Sequence, residues 1–149
     1  MARRRWLTRF FLALLLLFVL AQLVPYGRTH DNPQRSVEPA WDSKTTRDLV
    51  ARACFDCHSN ATHWPGYAGI APSSWLVQSD VDEGRENLNF SEWDKTQQHA
   101  VHAANEVREG DMPPLLYRLM HPEARLSDAE RAALVQGLTT TLGSQAHED

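Results

Sequence analysis

The sequence predicts an all-α domain, on three observations. Apolar residues recur at helical spacing in residues 43–54, 94–109 and 127–143. The strict alternation that is typical of strands is almost absent. Hydrophobic residues make up 42% and charged residues 23% of the 149 positions, as in ordinary globular proteins. This composition excludes a disordered chain and a multi-span membrane protein, and the length allows one compact domain with a short appendage.

The chain begins with a basic flank and an apolar run. The flank holds four arginines, Arg3, Arg4, Arg5 and Arg9. The run covers Phe10–Val24, with the sequence FFLALLLLFVLAQLV. Such a pair directs a segment into a membrane with its positive end in the cytoplasm. We therefore expect a single-pass membrane protein, with the rest of the chain translocated across the membrane.

Two outcomes remain open for this export segment. A helix over Phe10–Val24 reaches about 22 Å, which is short of a hydrocarbon core of about 30 Å. A helix from Trp6 to Tyr26 closes the gap and predicts an uncleaved membrane helix, so that residues 1–26 form a signal-anchor. The alternative is a signal peptide cleaved after Ala21. Residues 27–40 then form an exposed tether.

The charge is distributed unevenly. The chain has 15 basic and 19 acidic residues, and beyond Arg9 the balance is 11 basic against 19 acidic residues. An acidic body disfavours nucleic acid as a partner and favours basic proteins or cations.

The chain has two cysteines, and they stand in a C-x-x-C-H motif. Cys54 and Cys57 lie three residues apart, and His58 follows directly. On a helical turn both thiols share one face, so they can reach the two vinyl groups of one porphyrin edge. His58 can then approach the iron as a metal ligand. The motif predicts one covalently attached haem c, and the export segment agrees with it.

Three other uses of the cysteines remain as alternatives. A structural zinc site would need a distant histidine besides His58, because no further cysteine is available. A thioredoxin-like dithiol normally follows a strand, and no strand pattern precedes Cys54. A plain disulfide is the third alternative.

The first half of the domain is predicted as a helix, a loop and a second helix. The helix over 43–54, with Ser43 or Thr45 as its N-cap, ends in the haem motif. The segment 59–72 contains WPGY and is predicted as an irregular loop. A helix then runs from Ser73 or Ser74 to about Gly84. Trp64 and Trp75 either pack in the core or donate their indole N–H groups to haem propionates.

The second half is predicted as three helical segments. A weakly amphipathic helix covers 94–109, and Gly110 ends it. A loop at 111–114 precedes a short turn of helix over Leu115–Met120. Ser127 and Glu130 form a capping box that opens a helix closing near Gly143. The haem domain thus extends over residues 41–143, and residues 144–149 are expected to fray.

Met112 is the preferred second axial ligand of the haem iron. Pro113 and Pro114 stiffen the loop after it, so its thioether can be held with little ordering cost. The alternatives are an open sixth position or another side chain, namely Met120, His63, His99, His102 or His121.

Four blocks of the chain resemble the haem-binding domain proteins of bacteria, which are small membrane-anchored monohaem c-type cytochromes. The blocks are ACFDCHSN, HWPGYAGIAPSSWLV, DVDEGRENLNFSEW and GDMPPLLYRLMHPEARLSDAER. The resemblance implies a cytochrome-c-like helical fold, haem c on Cys54 and Cys57, His58 as proximal ligand and Met112 as distal ligand. The third block, residues 80–93, is either a packing insert or an acidic docking surface, formed by Asp80, Asp82, Glu83 and Glu86.

Together these features predict a monohaem cytochrome c that carries single electrons between redox partner proteins and is not itself an enzyme. Its expected place is the bacterial inner membrane, with the haem domain facing the periplasm. A respiratory complex is among the candidate partners. The first alternative is a haem-based ligand sensor or small peroxidase-like enzyme with an open or displaceable sixth position. The second is an assembly subunit of a larger respiratory complex.

Overall fold

A computed structural model describes residues 2–143, and this part of the chain is entirely helical, without strands. The predicted all-α class is therefore confirmed. The seven α-helices are α1 (Ala2–Ala21), α2 (Lys44–Ala53), α3 (Phe55–His58), α4 (Ser73–Asn87), α5 (Ala103–Glu109), α6 (Leu115–Met120) and α7 (Asp128–Gly143). Three short 3-10 turns lie at Gly66–Gly69, Ala100–His102 and Pro122–Ala124. The tail predicted to fray, 144–149, lies outside the described residues.

The described chain divides into two units. One contains the chain up to Asp31 together with Trp64–Asp80, and the other contains Asn32–His63 and the chain from Val81 onward. The division falls within α4. The haem motif and Met112 belong to the second unit, whereas Trp64 and Trp75 belong to the first.

The second unit is built on helices α2, α5 and α7. Its hydrophobic core contains Val50 of α2, Val107 of α5 and Leu134 and Leu138 of α7. Close approach of α2 and α7 requires a glycine, because a Cβ at Gly137 would lie 2.0 Å from the Thr46 hydroxyl oxygen. Burial of these apolar side chains is the main source of stability for helices this short.

The first unit joins the end of α1 to the start of α4. The Gln22 side chain donates to the Ala71 carbonyl at 2.8 Å and accepts from the Ala71 amide at 3.1 Å. Gly27 has φ +76°, and a Cβ there would lie 2.2 Å from the Ser74 carbonyl oxygen. A glycine is therefore required at this contact for both conformation and space.

Helix α1 forms over Ala2–Ala21, and the large apolar side chains from Trp6 to Leu20 are exposed. Among residues 2–143, no helix has both the length and the apolar character that a membrane crossing demands. The expected N-terminal membrane helix is thus not supported. Within α1 the arginines occupy the first two turns, so the uninterrupted apolar stretch begins only at Phe10.

The predicted tether, 27–40, makes specific hydrogen bonds. The Ser36 amide donates to the Ser91 carbonyl, and the Trp93 amide donates to the Val37 carbonyl, both at 2.9 Å. These bonds attach the segment around Ser36 to residues 91–93 of the second unit.

The helix predicted over 94–109 is wrong in its first half, because α5 begins only at Ala103. Residues 94–99 form turns that the Gln97 side chain stabilises. It donates to the Glu92 carbonyl at 2.9 Å and accepts from the Asn89 amide at 2.9 Å. Side-chain hydrogen bonds of this kind compete with helix formation. The predicted stop is correct, since Gly110 ends α5 with φ +90°.

Helix α4, in contrast to α5, is longer than the sequence predicts. The sequence predicts an end near Gly84, but the helix continues to Asn87. Gly84 is buried against the backbone of Cys57, so tertiary packing outweighs the low helix propensity of glycine.

Candidate functional site

The C-x-x-C-H motif forms a turn of its own. Helix α2 ends at Ala53, and Cys54, with φ −129° and ψ −30°, separates it from α3. The Cys54 carbonyl accepts from the amides of Cys57 at 3.2 Å and His58 at 2.8 Å. This corrects the expectation that the motif is the end of the preceding helix. The prediction that both thiols can reach one porphyrin edge is unaffected, because Cys54 and Cys57 are still three residues apart on one turn.

Both cysteines are present as thiols and are half-buried. Burial, together with the neighbouring Cys57, raises the pKa of the Cys54 thiol to about 12. A thiol with so high a pKa stays protonated at neutral pH and is a weak nucleophile and a weak metal ligand. Within residues 2–143, no group of three or more His, Cys, Asp or Glu side chains could hold a metal ion.

His58 is oriented by a backbone carbonyl. Its Nδ1 lies 3.0 Å from the Leu88 carbonyl oxygen. Since a carbonyl can only accept, Nδ1 carries the proton and Nε2 carries the lone pair. Burial lowers the pKa of His58, while hydrogen bonds to the Leu88 and Gly84 carbonyls act in the opposite direction. A neutral imidazole whose second nitrogen donates to a carbonyl is the form that ligates iron, so His58 fits a haem.

Residues 80–93 pack directly on the motif. The Phe90 amide donates to the His58 carbonyl at 2.8 Å. Gly84 lies so close that a Cβ would be 2.5 Å from the Cys57 carbonyl oxygen. The Arg85 guanidinium donates to the Ser59 carbonyl at 2.9 Å. These contacts support the interpretation of residues 80–93 as a packing insert.

Buried amides connect the same two segments. Asn60 and Asn89 are almost fully buried, and the Asn89 side-chain amide donates to the Asn60 side-chain oxygen at 2.8 Å. Asn60 also donates to the Glu92 carboxylate at 3.0 Å. The Ser91 amide donates to the Asn89 side-chain oxygen at 2.9 Å. This network is not predicted from the sequence, in which its visible signal is the two short polar residues of LNFS, Asn89 and Ser91.

Met112 lies in a loop whose start is fixed by backbone hydrogen bonds. The amides of Gly110, Asp111 and Met112 all donate to the Glu106 carbonyl, at 3.2, 3.0 and 3.1 Å. The Met112 side chain is partly buried and packs against the hydrophobic core of the second unit, as does Cys54. The structure therefore brings Cys54, which is predicted to attach haem, and Met112, the predicted distal ligand, to the same core.

The alternative axial ligands differ in their burial. The exposed ones are Met120, His63, His99 and His102. The His121 side chain is 13% exposed, stacks on Tyr117 at 4.3 Å and places Nδ1 3.2 Å from the Glu123 carboxylate. Of these alternatives, His121 is the one whose environment resembles that of a ligand.

Trp64 and Trp75 have buried indole nitrogens with no acceptor among the described residues. Trp64 stacks on His30 with ring centroids 4.8 Å apart. A buried donor without an acceptor costs about 1–3 kcal/mol, so each indole fits an acceptor that a bound group supplies. Both belong to the first unit, and their predicted bonds to propionates remain a prediction.

Asp56, the second of the two residues between the cysteines, was not singled out from the sequence. One carboxylate oxygen accepts from the Tyr117 hydroxyl at 2.7 Å. The other accepts from the His63 amide at 2.9 Å. Burial and Asp56 raise the pKa of Tyr117, so its hydroxyl stays protonated as a donor. Nothing in C-x-x-C-H indicates this contact, because the motif leaves the two intervening positions open.

A family model described as a haem-binding domain matches residues 16–140. The chain belongs to the haem-binding domain family. The match includes the C-x-x-C-H motif, Met112, Trp64 and Trp75, and it shows that this is a haem-binding protein. No curated protein and no solved structure gives a significant match.

Proposed function

We propose that this haem-binding protein is a monohaem c-type cytochrome that transfers single electrons. The observation that carries the proposal is His58, a neutral imidazole oriented by Leu88 directly after two thiols on one turn. Haem supplies one reversible electron between ferric and ferrous iron. The chain has to hold that group, orient its ligands and exclude water from it.

Cys54 and Cys57 would attach the haem covalently. Each thiol would add across one vinyl C=C, with a C–S bond formed by the sulfur and the thiol hydrogen placed on the adjacent vinyl carbon. No atom is lost and no oxidant is consumed. Both cysteines must be reduced for this addition, which agrees with their presence as thiols.

Met112 would be the second axial ligand opposite His58, within a cytochrome-c-like helical arrangement. A thioether favours ferrous iron and raises the reduction potential relative to a second histidine. The Leu88 carbonyl accepts a hydrogen bond from Nδ1–H of His58. This bond would make Nε2 a stronger electron-pair donor to iron. These residues give an electron carrier rather than an enzyme.

We further propose that the chain acts at the periplasmic face of the bacterial inner membrane. The four arginines before Phe10 support export. The exposed apolar side chains of α1, such as Phe11 and Leu17, support contact with the membrane. Electron donors and acceptors would be proteins, including a respiratory complex.

Covalent attachment is tested by extraction. We expect haem to stay on the polypeptide in acid–acetone when the protein is made in a host that attaches haem c. The Cys54→Ser, Cys57→Ser double variant should release its haem. Complete release from the unmodified protein would contradict attachment and leave only non-covalent haem binding.

Axial ligation is tested with Met112→Ala. The unmodified ferric protein should show the near-infrared sulfur-to-iron charge-transfer band, and Met112→Ala should lose it and lower the potential. Met120→Ala is the matched control, because Met120 is exposed. A band that survives in Met112→Ala would contradict the assignment. A resting protein that lacks the band and binds CO or cyanide rapidly would favour a ligand sensor or a peroxidase-like enzyme.

A further inference from the structure

Helix α6 follows Met112 and is attached to the haem motif by a hydrogen bond. The Tyr117 hydroxyl donates to the Asp56 carboxylate at 2.7 Å. No residue of α6 is buried, and Leu115, Leu116 and Leu119 are more than half exposed. Apolar burial therefore does little to hold this helix, and a hydrogen bond to a carboxylate is among the stronger single contacts available to it.

Met112 lies between two anchors. On the upstream side its own amide donates to the Glu106 carbonyl at 3.1 Å. On the downstream side Pro113 and Pro114 lead directly into α6, and each proline has a restricted φ. The position of α6 consequently sets where the Met112 side chain can reach.

Asp56 lies on α3, the turn that also carries Cys57 and His58. The Tyr117 bond therefore attaches the segment after Met112 to the segment that supplies the proximal ligand. We propose that Tyr117 is a positioning residue, which holds the Met112 thioether at the iron through its bond to Asp56. This inference rests on the proposed six-coordinate cytochrome and adds the residue that keeps its sixth ligand in place.

The test is the affinity of the ferric holoprotein for cyanide, which competes with Met112 for iron. Tyr117→Phe removes the hydroxyl and keeps the ring. We expect it to bind cyanide about tenfold more tightly, since a lost hydrogen bond to a charged group is worth about 1.4 kcal/mol or more. Tyr26→Phe, a tyrosine of the first unit, is the matched control and should leave the affinity unchanged.

A double-mutant cycle separates positioning from general stability. If Tyr117 acts through Met112, Tyr117→Phe should have no effect on cyanide affinity in a Met112→Ala background. An equal effect in both backgrounds would overturn the inference, as would an unchanged affinity in Tyr117→Phe alone. If Tyr117→Phe fails to load haem, Asp56→Asn weakens the same bond from its other end and is judged by the same criteria.

Failure of the proposed function gives a different result. If Met112 is not a ligand, Met112→Ala itself leaves the charge-transfer region and the cyanide affinity unchanged, and both proposals are overturned. If Met112→Ala has its expected effect and Tyr117→Phe has none, only the positioning role is overturned.

Discussion

The proton of the His58 ring is placed by Leu88, thirty residues further along the chain. Gly84 lies in α4, four residues before Leu88, and lets that helix approach the backbone of Cys57. The orientation of the His58 ring and the packing of the motif thus depend on single residues of the 80–93 segment. A change at Leu88 acts on the His58 ring, and a change at Gly84 acts on the backbone of Cys57, without replacing any residue of the motif.

Gly84→Ala should destabilise the protein. The added Cβ would lie 2.5 Å from the Cys57 carbonyl oxygen, a backbone atom that can move only with α3. Overpacking of this kind costs about 1–3 kcal/mol, against a gain of about 1 kcal/mol in helix propensity. Urea unfolding should therefore show a net loss of stability, and the yield of haem-loaded protein should fall.

Gly69→Ala is the control for this prediction. A Cβ at Gly69 meets no atom within 4 Å, so its effect should stay within about 0.5 kcal/mol. Equal stabilities of the Gly84→Ala variant and the unmodified protein would contradict the seating of α4 against Cys57.

Among the helices, α7 shows most clearly how local sequence sets an element. The Ser127 hydroxyl accepts from the Glu130 amide at 3.3 Å, and the Glu130 carboxylate accepts from the Ser127 amide at 2.8 Å. This is the capping box that the sequence predicts, and it satisfies two amides at the start of the helix. The same carboxylate group accepts from Arg52 of α2 at 2.6 Å.

Ser127→Ala should lower the free energy of unfolding by about 1 kcal/mol, because it removes the N-cap acceptor. Thr139→Ala is a matched control on the same helix, since the Thr139 hydroxyl only donates to the Val135 carbonyl one turn back. That change should be neutral or slightly stabilising. Chemical denaturation of both variants checks the difference, and equal losses would contradict the cap.

The cap should also make stability depend on pH. Hydrogen bonds from the Ser127 amide and Arg52 lower the pKa of Glu130 from its ordinary value near 4.5 to about 2. A carboxyl with a depressed pKa contributes stability above its unfolded pKa and loses it as the pH falls through the folded value. The stability difference between the unmodified protein and Glu130→Gln should therefore be full at pH 7 and shrink between about pH 4.5 and 2. A difference that stays constant over this range would contradict the shift.

At the scale of the whole molecule, charge separates the chain into a basic start and an acidic remainder. Four arginines lie within the first nine residues, and 11 basic and 19 acidic residues follow. A net negative surface steers basic partners toward the protein over distances of about 10 Å at moderate salt. The exposed carboxylates of Asp82, Glu83 and Glu86 on α4 belong to this surface.

Electron transfer should accordingly depend on ionic strength. We expect the bimolecular rate with a small basic redox protein to fall by about tenfold or more when salt is raised from about 10 to 200 mM. A neutral redox dye is the control and should show little change. Stopped-flow absorbance of the haem measures both rates, and equal salt responses would contradict electrostatic steering.

The features that are predictable from the sequence involve neighbours along the chain. The spacing of Cys54, Cys57 and His58, the capping box at Ser127 and the stop at Gly110 are all contacts within a few residues. Their geometry follows from the helical repeat and from backbone hydrogen bonding, which are the same in any fold. The all-α class follows from the same local periodicity, and the class, the capping box and the stop at Gly110 are confirmed in the structure.

The contacts between distant segments are not predictable in this way, because they depend on tertiary packing. The continuation of α4 through Gly84, the turns at Gln97 and the proton on His58 each depend on a partner that no local pattern names. The bond between Tyr117 and Asp56 joins residues 61 positions apart. Such contacts exist because the packing of α2, α5 and α7 brings remote segments together, and the free energy of that packing outweighs local preference.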